Sequence, residues 1–317
     1  MKENIKSILM HAVLVLAVAG VVVVLPRLAD AANSSTSASV TNAAPVASSP
    51  VLNGGSDITL TSNTTKSILT TITITDNNGC EDISSVAGKL FRTTVTDGAG
   101  AADNNRTHYT STCVANNDCT AGGSDLTKTF NCTFVMTWYA DATDAGSANA
   151  STNWTFTATP SDASVSGTNA SAVQEVNTLT SMSLETTSIA YGTLALGGDT
   201  GATNQNITIA NHGNENLDVS LTGYGSSSGD NKSMSCTIGK VEINKLQYNS
   251  SSFTYGTSGV GLSNVTTELD LDVAQGSDST VRPSKPVYFG FGLPSTGVGG
   301  SCTGTVVITA VSDPNTD

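Results

Sequence analysis

Charged residues are scarce in this chain. Of 317 residues only 12% are Asp, Glu, Lys or Arg, with 13 bases against 26 acids and a net charge of −13 at pH 7. That charged fraction is about half the value of an ordinary soluble domain. Binding of nucleic acid needs clustered Lys and Arg to neutralise phosphates, so this balance argues against a nucleic-acid partner.

The residues that favour helices are also few. The chain has only 7 Glu, 9 Lys and 4 Arg, whereas it has 40 Ser, 47 Thr and 26 Asn. Thr is enriched in strands, and Ser and Asn favour turns and caps over helix interiors. The composition therefore excludes a mostly helical protein and predicts an all-β fold.

Signals for catalysis are missing as well. There are 3 His in the whole chain, and no H-E-x-x-H, G-x-S-x-G or P-loop motif is present. A sugar-binding cleft with paired carboxylates would need many aromatic side chains, but the chain has 2 Trp, 7 Tyr and 7 Phe. The sequence predicts a protein that is not an enzyme and has no catalytic residues.

The N-terminus carries an export signal. Lys2 and Lys6 precede an unbroken apolar run over residues 12–25, and Ala29-Asp30-Ala31 has the small-x-small pattern of a cleavage site. The run of 14 residues is shorter than the ~20 needed to span a bilayer. We therefore predict a cleaved signal peptide and a secreted, cell-surface protein. The alternative is an uncleaved anchor, which would be the protein's only contact with a membrane.

Beyond the signal peptide the apolar residues alternate in the manner of strands. Residues 130–138 place Phe130, Phe134 and Trp138 on one face, and the same period of two recurs in residues 154–158. Strands with one apolar face are typical of antiparallel sheets that cover a core on one side. A second alternating series runs from about residue 205 to 310, with residues 179–196 predicted as its entry strand.

Turn signals and composition divide the chain into segments. About seven short strands per region are typical of an immunoglobulin-like sandwich, so we predict two such antiparallel β-sandwiches in tandem. The predicted segments are a signal peptide at 1–31, a flexible Ser/Thr/Ala/Pro stalk at 32–50, sandwich 1 at 51–168, a linker at 169–178, sandwich 2 at 179–312 and a tail at 313–317.

Three stretches carry a family resemblance. They read ITITDNNGCEDISSVAGKLFR from residue 72, YGTLALGGDTGATNQNITIANHGNENLDVSL from residue 191, and PVYFGFGLPSTGVGGSCTGTVVITAV from residue 286. They resemble tandem immunoglobulin-like repeats, in the first case of the PKD and cadherin-like group, of secreted bacterial and archaeal surface proteins. The resemblance implies a β-sandwich in an extracellular setting, and it leaves the function open because such modules serve many roles.

Six cysteines follow the signal peptide, four in the first region and two in the second. Even numbers in a secreted chain predict disulfides, and the spacing lacks the close pairs of a zinc site. Cys236 and Cys302 both fall on apolar faces, so we predict a bridge between them that staples the two sheets of sandwich 2. Cys113 and Cys119 flank a short loop and are predicted to pair, which leaves Cys80 with Cys132.

Two further groups are candidate sites for modification or metal binding. Eleven Asn-x-Ser/Thr sequons occur, and Asn131, Asn153 and Asn206 lie on predicted outward faces, which makes them candidates for glycosylation. Acidic turns offer oxygen ligands for calcium, the one cofactor that the sequence suggests. The simpler interpretation is that these residues form turns. The calcium candidates are Asp76, Asn78, Asp82, Asp141 and Asp144.

Together these features predict a non-enzymatic structural protein of a microbial cell envelope, such as a component of a surface layer, sheath or appendage. Its predicted partners are copies of itself or other envelope proteins and glycans. The first alternative is an adhesin or a module that binds carbohydrate or another surface, which exposed aromatic residues would favour. The second is a fibre subunit that donates a strand, for which residues 32–50 are poorly suited because they contain few large apolar side chains.

Overall fold

A computed structural model describes residues 34–95, 103–116, 118–120, 122–278 and 282–313. The fold is all-β, as predicted, and its named strand pairs are antiparallel. The predicted signal peptide and all of the predicted tail except Asp313 lie outside the described residues. None of the described segments is a helix long and apolar enough to cross a membrane.

The chain divides into two compact units, Met1–Thr41 and Asn42–Asp317. In the first unit, residues 34–41 are exposed and have no regular secondary structure. The second unit contains both sandwiches.

Sandwich 1 consists of two four-stranded sheets, with strand orders β1-β2-β6-β5 and β4-β3-β7-β8. A 3-10 turn at Asn53–Gly55 follows the first strand. The strands are β1 Val46–Leu52, β2 Thr65–Thr75, β3 Ile83–Arg92, β4 His108–Thr112, β5 Val114–Ala115, β6 Thr127–Thr137, β7 Trp154–Asp162 and β8 Ala170–Gln174.

Sandwich 2 consists of one five-stranded sheet, β15-β14-β17-β10-β9, and two three-stranded sheets, β16-β11-β19 and β13-β12-β18. A second 3-10 turn lies at Ile243–Lys245. The strands are β9 Met182–Leu184, β10 Gln205–Asn211, β11 Leu217–Tyr224, β12 Lys232–Ile238, β13 Lys240–Glu242, β14 Leu246–Asn249, β15 Val260–Gly261, β16 Thr267–Val273, β17 Ser284–Phe291, β18 Gly299–Thr303 and β19 Thr305–Ser312.

The period of two in the sequence explains each core. Phe130, Cys132, Phe134 and Met136 on β6 are buried, while the residues between them are more exposed. They meet the buried face of β7, where Phe156 contacts Phe134 edge to face at 5.9 Å between ring centroids. Sandwich 2 has its own core, which includes alternate residues of β10, β11 and β17.

Two predicted boundaries are wrong. Residues 46–50 of the predicted stalk belong to β1, which pairs with β2 and buries Ala47 and Leu52. The predicted linker contains β8, which pairs with β7, and Val176 beyond it is fully buried. Both segments look too polar for strands, but a few apolar side chains at alternate positions fill the margin of an existing core.

The predicted entry strand of sandwich 2 is also mostly wrong. Within residues 179–196 only β9 forms ladder pairs, with β10. The chain then leaves the sheet, and Ile189, Tyr191 and Leu194 pack against the core from an irregular segment. The Gly residues at 192, 197 and 198 favour turns over a continuous strand.

The two sandwiches contact each other through a packed interface. Trp138 is only 3% exposed, and its ring lies 6.0 Å from that of His212, centroid to centroid. A Cβ added to Gly276 would come within 2.6 Å of the Trp138 ring, so the backbone of sandwich 2 runs directly over this side chain. The Asn214 amide donates to the carbonyl oxygens of Ala140 and Asn177.

Candidate strand-docking edge of the second sandwich

Sandwich 2 has a long unpaired margin formed by β18 and β19, which we call the open edge (residues 299–312). β19 pairs with β11 along its whole length, from Thr305 opposite Tyr224 to Ser312 opposite Leu217. Among the described residues, no strand pairs with the other side of β18 or β19. The backbone N–H and C=O groups on that side are therefore available to another strand.

β19, the longer strand of the open edge, carries none of the features that natural edge strands use against association, whereas the pairing of β18 with β12 has one register shift. Residues 299–312 contain no Asp, Glu, Lys, Arg or Pro, and β19 is rich in β-branched residues. Val306, Ile308 and Ala310 pack against the core, whereas Thr305, Val307 and Thr309 are exposed. Long, uncharged edge strands of this kind are prone to pair with other chains.

The other edges of sandwich 2 are short or charged. β9, β13 and β15 have two or three residues each. β16 has seven residues but carries Glu268, Asp270 and Asp272, and its pairing with β11 is interrupted by a register shift. Charges and bulges are known devices for blocking edge pairing.

The edge strands of sandwich 1 are bridged on one side and short on the other. Val46 on β1 and Thr168 near β8 form a parallel bridge between the two sheets, and Ile58 and Val176 form another. On the opposite side the chain passes from β4 in one sheet to β5 in the other. These two edge strands have five and two residues, and are therefore shorter than the eight-residue β19.

A groove lined by both apolar and polar side chains runs beside the open edge. It lies between the irregular segment at residues 187–194 and the strands β18 and β19, and it has a volume of about 360 Å³. An adjoining hollow of about 480 Å³ extends it toward Phe291 and Leu293. Among the described residues, no backbone hydrogen bond joins residues 186–194 to β18 or β19. The apolar side chains that line the groove include Ile189, Tyr191, Ile207, Met234, Leu246 and Val306.

Tyr191 lines both parts of this groove and has an unsatisfied hydroxyl group. Its ring stacks on Phe291 with centroids 5.1 Å apart. The hydroxyl oxygen is buried without a hydrogen-bond partner, and burial raises the pKa of the phenol. A buried hydroxyl group without a partner costs free energy. A polar group that enters the groove could therefore form a hydrogen bond with the Tyr191 hydroxyl.

A disulfide forms the lip of the groove. Cys236 on β12 bonds to Cys302 on β18, the pair that the sequence predicted. The predicted geometry is wrong, however, because the two cysteines are direct neighbours on adjacent strands of one sheet and do not join the two sheets. The bridge fastens β18 to β12, and Cys302 lines both parts of the groove.

The two predicted pairings in sandwich 1 are wrong. The structure joins Cys80 to Cys119 and Cys113 to Cys132. β5 begins directly after Cys113 and pairs with β6 beside Cys132, which brings these two cysteines together. The chain then continues along β6, so Cys119 moves away from Cys113 and reaches the turn that holds Cys80. Short spacing suggested a local loop, but Val114–Ala115 between these cysteines form the strand β5.

The predicted calcium ligands separate into two groups. Asp76 and Asp82 lie together at one end of sandwich 1, and Asp162, which the sequence did not single out, joins them. Asn78 is close in sequence, and its side-chain oxygen accepts a hydrogen bond from the Ala43 N–H. Asp141 and Asp144 lie elsewhere, near the start of β7, so the five predicted residues do not form one site.

Asp141 already has cationic partners. Its carboxylate oxygens lie 3.0 Å from Arg92 Nε and 2.6 Å from Arg106 Nε. Asp141 itself is 2% exposed. Asp144 accepts a hydrogen bond from the Thr178 hydroxyl. These contacts give Asp141 and Asp144 structural roles in place of the predicted calcium ligation.

The three glycosylation candidates differ in exposure. Asn153 and Asn206 are exposed. Asn131 is half-buried, and its amide donates to the side-chain oxygen of Asn116. Glycosylation at these positions stays a prediction.

Comparisons with known proteins give a likeness of fold only. No family model and no curated protein matches the sequence, so the resemblance to PKD or cadherin-like repeats stays a prediction. Among solved structures, the chain is similar to the CsuC–CsuE chaperone–tip adhesion subunit pre-assembly complex from archaic chaperone–usher Csu pili of Acinetobacter baumannii. The identity is 12%, over 80% of this chain and 96% of that chain, with a TM-score of 0.32.

Proposed function

We propose that this protein is a non-enzymatic structural component of an extracellular surface, and that copies associate by pairing strands at the open edge. The observation that supports this proposal most directly is an eight-residue edge strand, β19, that has no charge or proline and is unpaired on its outer side, beside a groove with apolar side chains in its lining. Strand addition uses main-chain hydrogen bonds for affinity and side-chain pockets for specificity. The open edge offers both kinds of contact.

A second copy of the chain is the partner that we propose. The net charge of −13 makes copies repel one another over most of their surface. The open edge is a long stretch where two copies can approach without placing carboxylates in direct contact. Antiparallel pairing of β19 with β19 is isologous, because the same patch serves both partners.

Binding of carbohydrate is less well supported. Such sites present aromatic side chains at the surface, and all 16 aromatic side chains of the chain fall in the described residues. None of them is exposed; each is buried or partly buried. Assembly therefore explains the surface better than a sugar-binding platform.

The extracellular location is part of the same proposal. All six cysteines are paired in three disulfides. Structural disulfides persist in oxidising compartments and are rare in the cytosol of most organisms. This agrees with the export signal that the sequence predicts.

The test places lysines on the open edge. Val307→Lys with Thr309→Lys adds two positive charges on the exposed face of β19, where antiparallel pairing of two copies would bring like charges together. We expect the wild type to form larger species as its concentration rises in sedimentation velocity experiments. The double variant should associate roughly tenfold more weakly or not at all, a change of about 1.4 kcal/mol or more.

The matched control is Leu69→Lys with Thr71→Lys. Both residues lie on the outward face of β2, a strand that β1 and β6 enclose. This control should associate as the wild type does, and circular dichroism should show that both variants are folded. A wild type that stays monomeric at every concentration would contradict the proposal, and so would equal loss of association in the control.

A further inference from the structure

Three aspartates meet at the end of sandwich 1 where the acidic turn lies. Asp76 follows the last residue of β2, Asp82 precedes β3, and Asp162 ends β7. β3 and β7 are neighbours, and Ile83 lies opposite Asp162 in their register, which brings the turn and the strand end together. Each carboxylate offers one oxygen, and these three oxygens all lie within 4.8 Å of one another.

Asp76 is the member of the cluster that has an unsatisfied carboxylate oxygen. It is 0% exposed. Its Oδ1 atom accepts the Asn78 N–H at 2.8 Å, whereas its Oδ2 atom is buried with no hydrogen-bond partner. A buried carboxylate oxygen without a partner is costly, and here two more carboxylates stand beside it.

The protein supplies no side-chain cation to balance these charges. Within the described residues, none of the ion pairs involves Asp76, Asp82 or Asp162. Asp162 accepts only N–H groups, from the backbone of Ser164 and Val165 and from the side-chain amide of Asn42.

We propose that Asp76, Asp82 and Asp162 bind one calcium ion. The ligands are all carboxylate oxygens, which hard cations prefer, and no cysteine or histidine belongs to the cluster. Oxygens that share a calcium ion at about 2.4 Å can be at most about 4.8 Å apart, and the three oxygens lie within that limit. Asp76 and Asp162 are buried, while Asp82 reaches the solvent and gives the ion a way in.

The ion would tie three elements together. The turn after β2, the start of β3 and the end of β7 each contribute one ligand, and the amide of Asn42, at the beginning of the compact unit, donates to Asp162. Extracellular calcium modules bind in the range of about 0.1–1 mM, so we expect an affinity on that scale. The proposal does not depend on assembly at the open edge, because the two sites lie in different sandwiches.

The test is calorimetric titration of the full chain with calcium chloride after removal of metal by a chelator, together with thermal unfolding. The wild type should bind one ion, and its melting temperature should rise as calcium is added. Asp76→Asn, Asp82→Asn and Asp162→Asn should each reduce the affinity at least tenfold. Because Asp76→Asn also removes a buried charge, it should unfold no earlier than the wild type in chelator.

Glu81→Gln is the matched control. Glu81 neighbours Asp82 in the same turn, but its carboxylate accepts the Gly122 N–H and lies outside the cluster. This variant should bind calcium as the wild type does. A wild type that shows neither heat nor a thermal shift at millimolar calcium would overturn the proposal. Equal loss of binding in Glu81→Gln and Asp82→Asn would also overturn it, because any acidic residue would then serve.

Discussion

At the scale of single residues, Glu215 is the carboxylate most affected by its surroundings. It lies between the sandwiches, 5% exposed, and accepts the Ala148 N–H. Burial raises the pKa of its carboxyl group from 4.5 to about 7, and the nearby carboxylates of Asp144 and Asp141 add to the rise. The folded protein therefore holds a proton on Glu215 at pH values where the unfolded chain has released it.

The sign of the resulting pH dependence follows directly. Between pH 4.5 and about 7 the folded state binds more protons at this site than the unfolded state does, so its contribution to stability falls as the pH rises. Glu215→Gln removes the penalty of ionisation. We expect this variant to be more stable than the wild type at pH 8, by on the order of 1 kcal/mol after allowance for solvent screening.

Urea unfolding of the wild type and Glu215→Gln at pH 4 and pH 8 tests this prediction. The difference between the two proteins should be large at pH 8 and small at pH 4. A variant that is less stable at pH 8 would show that the ionised carboxylate makes favourable contacts there and would contradict the assignment.

At the scale of elements, the Cys236–Cys302 bridge holds β18 in place. The two cysteines lie opposite each other on adjacent strands and are 66 residues apart in sequence. Removing a native disulfide typically costs 2–5 kcal/mol, so Cys236→Ala should lower the free energy of unfolding by roughly that amount. Cys302→Ala and the double variant should cost about the same, because each removes the same bond.

Denaturant unfolding of the three variants measures these costs. A double variant that unfolds at the denaturant concentration of the wild type would show that pairing with β12 holds β18 without the bridge. Costs of the two single variants that add up in the double variant would mean that the cysteines act separately, which also contradicts the assignment.

Period-two patterns predicted the elements well where each strand has a complete apolar face. β6, β7, β10 and β17 fall where the alternation is strongest. The pattern failed for residues 179–196, since apolar residues can pack on a core without joining a sheet. The bridges of Cys80 and Cys113 were predicted from the spacing of the cysteines, and that prediction also failed. Disulfide pairing depends on which strands become neighbours, and spacing along the chain does not determine that.

The two sites could also be predicted only in part from the sequence. The acidic turn was visible in the sequence, but Asp162 lies 80 residues beyond Asp82, and only the pairing of β3 with β7 joins them. The uncharged run at residues 299–312 was equally visible. Its meaning depends on β19 lying at the margin of its sheet, which the strand order decides.

At the scale of the whole molecule, the packed interface joins the sandwiches into one compact unit. Trp138 is buried against Gly276 and His212 of sandwich 2. We expect a single calorimetric unfolding transition for the wild type. Trp138→Ala should lower the stability by roughly 3–5 kcal/mol and split the transition into two, because it removes contacts between the sandwiches.

Phe156→Ala is the control for this prediction. Phe156 is fully buried inside sandwich 1, so this variant should shift the transition to lower temperature without splitting it. Two separate transitions in the wild type would contradict the coupling. A single transition in Trp138→Ala would show that other contacts are sufficient to couple the sandwiches.

The central claim is that the open edge is the place where copies associate, and amide hydrogen exchange locates that association directly. In dilute protein, the β19 amides that point away from β11 should exchange quickly. At concentrations where larger species form, protection should increase in residues 305–312, while β16, the charged edge of the same sheet, should keep its exchange rates. Association that leaves exchange in residues 305–312 unchanged, or that protects β16 in their place, would contradict the account.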